Sequence, residues 1–532
     1  MGVYTEERSL ELSAQQLSTS IYGLVGGFKK GPLNVETLIT SRNQFVTTFG
    51  TPLRGELGFA WHSGYEFLRY GHQMKVVRVG DDDVSKSTID LIGDDSASTV
   101  IGVIAGVSEG DWADDIRIVI TSMSVPTVAD NTVMETIYTV DIYAADTGTV
   151  TSPTVFNFSG VAPLETWTDI VFNDSADLRF VEKTINGNSQ YITFTMSAED
   201  NPEVDYCFVL AGGDDGTTTI GAADIIGTID VDTGVRTGLQ AFADPMLTDI
   251  NLISAPGFNS IRTVLNEILT LAQTRFDCLA IVDTEDVNTA QQMRDFVLGS
   301  TGTPGNDWAA YAPVPSVSRG AIYGPWLNIF DVYNNEEICV PPSVLVPAQF
   351  AYNDSVAYAW FATAGENRGI LRTALNVKFK LSLGDIETLS GTGINLNTIV
   401  VSPSGIIIND NKTLQRRPDL LQNINVVRLF MYCEKVLATA TRFILWEPHD
   451  PITWRTYINL VEPFLRDVVT KRGITDFRVK CDAETNTPFY INNSQMVAEL
   501  YIVPTTSVRI LVNTYIVSPH GVALSNSQIS PQ

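Results

Sequence analysis

The sequence predicts an α/β and α+β multidomain protein, with α/β core domains, an inserted all-β outer domain and extended terminal arms. Three observations carry this. The chain has 532 residues, too many for one hydrophobic core. Helix and strand patterns alternate over residues 21–80 and resume after 206. Between them lies a window of a different texture, acidic and rich in Thr, Val, Ser and Gly. The expected division is a 1–20 arm, a middle α/β domain over 21–80 and 207–393, and an 81–206 acidic β-rich insertion. An inner C-terminal core domain over 394–504 and a 505–532 strand and arm complete it.

In chain order, IYGLVGGF (21–28) is a buried-strand candidate, and SRNQFVTTFG (41–50) is a short helix capped by Ser41. Leu57, Trp61, Tyr65 and Leu68 fall at helical spacing before the strand MKVVRV (74–79). From Asp81 to Asp205 there are 23 Asp plus Glu against Lys86, Arg117, Arg179 and Lys183, so this window holds −19 of the net −27. The alternating runs IRIVITSM (116–123), ETIYTVDIY (135–143) and YITFTM (191–196) read as half-buried strands. Acidity of this kind serves solubility more often than it builds a cation site. The α/β texture returns with DINLISAPG (249–257), the helix IRTVLNEILTLAQTR (261–275) and the strand FDCLAIVD (276–283).

Beyond Ile394, Val426, Phe430, Cys433, Leu437, Ala440 and Ile444 form one helical stripe, which makes Cys433 a core residue rather than a nucleophile. Trp454, Ile458, Val461, Leu465 and Val468 form another, with Pro463 expected to kink that helix. Residues 412–480 carry 12 Lys plus Arg against 7 Asp plus Glu, a basic block in an acidic chain. The run TSVRILVNTYIV (506–517) alternates like a strand, and neither terminus shows a core-forming pattern of its own. Such arms add strands to another subunit's sheet or remain unpaired.

Composition excludes several classes. A charge of −27 opposes direct nucleic-acid binding and anionic membrane surfaces. Cys207, Cys278, Cys339, Cys433 and Cys481 are odd in number and scattered, which argues against zinc and a disulfide framework. MGVYTEERSL has no apolar signal core, Glu6 breaks a myristoylation pattern, and no apolar run approaches membrane length, so a reducing cytoplasm is expected. The missing signal also disfavours an acidic adhesin-like surface protein.

Candidate chemistry is sparse. LAGGDDG (210–216) lacks the Lys and Ser/Thr of a phosphate loop, and two aspartates would repel phosphate, so it reads as a turn. GVSEGDWADDIRI (106–118) reads as a strand-entry turn, and His62, His72 and His520 have no sequence-level partner. LWEPHDPITW (445–454) sets His449 between Glu447 and Asp450, a conceivable hydrolase cluster. A helix start accounts for the same residues without a substrate: Asp450 is a good N-cap, Pro451 suits the first helical position, and an amphipathic run follows to Gly473. On that reading Trp446 and Trp454 are packing anchors around the helix entry. No catalytic, cofactor or metal residues are assigned.

The N-terminal part carries STSIYGLVGGFKKGPLNVETLITSRNQFVTTFGTP (18–52), GHQMKVVRV (71–79) and EGDWADDIRI (109–118). The second half carries GENRGIL (365–371), GINLNTIVVSPSGIIIND (393–410), KTLQ (412–415), FILWEPHDPITW (443–454) and VKCDAETNTP (479–488). In this order and spacing the set resembles the contractile tail sheath proteins of myovirus-type bacteriophages and related injection machines. Lys412, Val427 and TTSVRIL (505–511) depart from the family pattern.

The resemblance implies a structural subunit, not an enzyme, that forms stacked hexameric rings around a tail tube and contracts to drive it through the host envelope. A tail-like bacteriocin or injection system is the alternative setting. Implied partners are further copies of the chain, the tail tube protein, and baseplate and tail terminator proteins, without direct nucleic acid or membrane insertion. The implied location is the virion tail, assembled in the host bacterial cytoplasm. Lys471 and Arg472 are candidate tube contacts, and Val508, Ile510 and Val512 are candidate residues of an inter-subunit strand.

Overall fold

Strands buried on both faces read as nearly continuous apolar runs, because helices must cover each side of the sheet. The computed structural model, which describes residues 20–94, 99–126, 134–145, 147–217, 220–299 and 313–509, is organised around such a sheet. Its strands are β1 (Tyr22–Gly26), β2 (Thr37–Ile39), β3 (Met74–Arg78), β4 (Leu252–Ser254), β5 (Leu279–Asp283), β6 (Gly320–Gly324), β7 (Asn397–Ser402) and β8 (Gly405–Ile408). The spatial order is β2-β3-β1-β4-β5-β6-β7-β8. The six inner strands are parallel, and β2 and β8 close the edges antiparallel.

Register alternates the side chains between two cores. Leu24, Val76, Leu252, Ile281 and Tyr323 face one core, whereas their neighbours Val25, Val77, Ile253, Val282 and Ile322 face the other. The helices α1 (Arg42–Phe49) and α2 (Gly58–Phe67) cover the first face with Phe45, Phe49, Trp61 and Phe67. The helices α3 (Arg262–Arg275) and α4 (Ala290–Leu298) cover the second with Val264, Leu265, Ile268, Met293 and Phe296. Ser41 caps α1 as its sequence predicts, accepting from the Gln44 amide. Helix α2 lies so close to β1 that a Cβ on Gly26 would stand 2.3 Å from the Ala60 methyl.

The chain between β3 and β4 builds two larger antiparallel sheets of its own, besides a two-stranded hairpin of Thr149–Ser152 and Val155–Asn157. One runs in the order Glu165–Ile170, Met134–Tyr143, Arg117–Pro126, Tyr206–Val209, and the other Ile192–Met196, Val100–Gly106, Thr88–Ile92. They enclose a separate core that includes Ile104, Ile118, Val140, Phe172, Phe194 and Phe208. A short helix, Val181–Ile185, also contributes to this core, so the region is β-rich rather than purely β.

Where this region joins the central sheet, Arg78 is fully buried. Its guanidinium donates to the carbonyls of Gly31 at 2.8 Å, Glu109 at 2.8 Å and Asp215 at 3.2 Å. The loop 210–216 is thus a junction: Asp215 accepts from the Asp111 amide and Gly213 donates to Asp114.

The C-terminal block hangs on α5 (Val346–Val356) and α6 (Ile424–Ala440). Ile424, Val427 and Met431 of α6 enter the first core, while Leu429 and Cys433 turn to a smaller cluster with Trp360, Val461, Leu465, Val468 and Ile474. Arg428 and Asp354 lock the two helices through a buried ion pair with contacts of 2.9 and 2.6 Å. Helix α7 (Pro451–Thr470) and a hairpin of β9 (Ile474–Lys480) and β10 (Glu499–Pro504) complete the block.

Asp283, at the end of β5, is wholly buried, and burial pushes its carboxyl up to about 7 against the opposing pull of hydrogen bonds from Ser343 and Asn259. A raised folded-state value means the folded protein holds the extra proton. Stability should therefore fall as pH rises from about 4 through 7, by at most about 1.4 kcal/mol per pH unit, and level off above. Asp283→Asn should flatten that decline in denaturant titrations across this pH range.

Candidate assembly interface

Asp450 begins α7, accepting the amides of Ile452 at 3.0 Å and Thr453 at 2.9 Å. These bonds hold its carboxyl below the usual carboxylate range, with the Thr453 amide contributing most. Pro451 occupies the first turn, where a missing N–H costs nothing. The buried stripe is Trp454, Val461, Leu465 and Val468, and Pro463 is accommodated inside the helix on an exposed position.

The Glu447, His449 and Asp450 cluster is not assembled as a catalytic group. Glu447 is exposed, Asp450 is engaged in capping, and neither ring nitrogen of His449 has a hydrogen-bond partner. The imidazole instead meets the Trp454 ring edge to face at 5.7 Å. Trp454 is a packing anchor, as the sequence suggests. Trp446 is not: it is fully exposed, because the turn puts it at φ 72° and carries the indole away from the helix entry.

At the other end of α7, Lys471 pairs with Asp467 at 2.6 Å and its carbonyl accepts the Trp360 indole N–H at 3.1 Å. The hydrogen bond to Asp467 raises the Lys471 ammonium above its ordinary range. Arg472 is exposed in the left-handed region at φ 63°. The structure therefore spends much of Lys471 within the chain and leaves Arg472 outward.

The hairpin presents a two-sided sheet of only two strands. Phe477, Val479, Leu500 and Ile502 pack on the small cluster, while Tyr501 and Val503 are exposed. A two-stranded sheet has an unsealed hydrogen-bonding edge on each strand, which suits it to receive another strand. The chain leaves β10 at Pro504, and Val508 is exposed outside any strand. The expected strand 506–517 is thus absent from its described part, while Ile510 and Val512 lie outside the described residues, as do the 1–19 portion of the N-terminal arm and His520. Arg509 ties the segment back to Asp410 at 3.1 Å and Ser390 at 2.7 Å.

Tertiary structure also pairs residues that sequence reading treated as isolated. His62 Nε2 lies 3.5 Å from Asp331 in a buried contact, and burial holds its imidazole below the ordinary range against the pull of Asp331. Tyr22 is hydrogen-bonded to Ser63 and Ser254 in the core. Sequence separations of this length leave no local signal. Among the described residues no group of three His, Cys, Asp or Glu is placed to hold a metal, and no helix is long and apolar enough to cross a membrane.

Asp450→Ala should lower the melting temperature, since it orphans two amides at the helix start. His449→Asn should change it far less, because the imidazole holds no hydrogen bond within the chain. Thermal denaturation of both variants at neutral pH checks the order.

Comparison with known proteins bears on this arrangement. Residues 417–517 match the phage tail sheath C-terminal domain, a span that contains α6, α7 and the hairpin. The tail sheath protein of Vibrio phage KVP40 is 22% identical over 656 residues, covering 97% of this chain and 97% of that protein. A sheath tail protein from Listeria innocua has the same fold at a TM-score of 0.56 and 10% identity, with 91% of this chain and 95% of that one covered. The anti-feeding prophage helical sheath in its contracted state superposes at a TM-score of 0.50 and 12% identity, covering 97% and 98%. The chain thus carries a phage tail sheath C-terminal domain over 417–517 and is similar along nearly its whole length to a phage tail sheath protein.

Proposed function

We propose that this chain is the structural subunit of a contractile phage tail sheath, stacked in hexameric rings around the tail tube and shortening to drive the tube through the host envelope. The observation that carries the assembly mechanism is the β9–β10 hairpin, a packed sheet of two strands next to the chain's own strand-like terminal run. In this reading the arms 1–20 and 505–532 add strands to neighbouring subunits, with Val508, Ile510 and Val512 in the added strand. Main-chain hydrogen bonds hold position while linkers absorb rotation and sliding. Contraction then draws on the assembled lattice, as an interface-level change between two states.

The domain division follows the same logic. The middle α/β domain (21–80 and 207–393) and the inner core (394–504) form the ring wall, and the acidic region 81–206 points outward. The basic block lies inward, against the tube or acidic neighbours. Arg472 is the stronger tube contact of the candidate pair, since Lys471 already neutralises Asp467. Baseplate and terminator proteins bound the stack at its ends, in a virion tail assembled in the host bacterial cytoplasm.

Electron microscopy of the purified protein should show rings or helical tubes. Deleting 1–20 or 505–532 should leave a folded protein that does not polymerise; tubes of wild-type length from both deletions would sink the arm mechanism. Reversing charge with Lys471→Glu and Arg472→Glu should weaken assembly on purified tail tubes while leaving self-association intact. Unchanged tube-templated assembly would instead leave the two cations as complements to the helix C-terminus.

A further inference from the structure

The loop before α7 combines two features that the folded protomer does not explain. Trp446 is 102% exposed at φ 72°, a backbone conformation that a bulky residue rarely adopts. Phe443 and Leu445 beside it, and Ile452 in the first turn of α7, are also exposed. An exposed apolar run of this kind is the sort of surface that a partner covers.

We propose that the Trp446 loop is a docking knob for a second copy of this chain. Its indole, Phe443, Leu445 and Ile452 bury apolar area there. Charge selects this occupant. Residues 412–480 carry 12 basic against 7 acidic residues in a chain of net −27, so the remainder of another copy presents −32 to this block. Arg442 and Arg455, both exposed, flank the loop and supply the cationic rim. Aromatic anchors ringed by polar groups are the residues that dominate binding energy at such contacts.

This inference rests on the sheath reading, and the experiment separates the two. Full-length wild type, Trp446→Ala and Trp446→Phe are compared by melting temperature, sedimentation and electron microscopy. The alanine variant should melt like wild type yet need at least about tenfold more protein to polymerise, with the phenylalanine variant between. A photoreactive benzoylphenylalanine at position 446 in assembled tails should crosslink to a peptide of another copy. Tubes from Trp446→Ala at wild-type concentration, or crosslinks confined to the tail tube protein or absent altogether, overturn the docking site alone. Wild-type protein that never polymerises overturns the sheath reading and the knob with it.

Discussion

A parallel sheet has no face that water can share, and the architecture of this protein follows from that requirement. Six parallel strands, with apolar residues on both faces, oblige the chain to place helices on each side. α1 and α2 seal one side, α3 and α4 the other, and α6 extends the first core into the C-terminal block. Because β1 lies between β3 and β4, the sheet also joins segments that 173 residues of intervening chain separate, from Val79 to Asn251. The β-rich region is therefore accommodated between β3 and β4 while both remain in one sheet on either side of β1.

The joints around this core are polar and specific. Arg78 gathers three carbonyls where the β-rich region departs, and the Arg428–Asp354 pair holds α6 against α5. Removing one partner from such a site leaves a buried charge or buried acceptors uncompensated, which costs far more than the intact contact contributes. These groups therefore serve orientation: they fix how one hydrophobic unit sits on another, which apolar contacts alone specify less sharply.

The C-terminal block shows the opposite condition, with bonding capacity left over. Its hairpin has only two strands, and its α7 entry projects an indole into solvent. A monomeric protein would be expected to cover these features, because exposed apolar patches and strand edges promote association. In the sheath lattice proposed above, a neighbouring subunit would cover them.

Much of the local structure was legible in the sequence. Ser41 and Asp450 announce their helices through side-chain acceptors placed for the first free amides, and the Trp454-to-Val468 stripe orients α7. These signals act over a few residues, so periodicity and capping chemistry suffice to read them. The same local logic made Cys433 a core residue. What the sequence left open involved contacts across long separations or the direction of a single turn. His62 meets Asp331, Tyr22 meets Ser254, and Arg78 meets Glu109 and Asp215 only because strand order brings them together. Trp446 points outward because one left-handed residue reverses the chain, a choice composition does not encode. Sequence by itself determined most of the local elements and their caps, because those signals act over a few residues; only the folded chain decided which side chains were spent inside and which remained exposed, because that depends on strand order and turn direction.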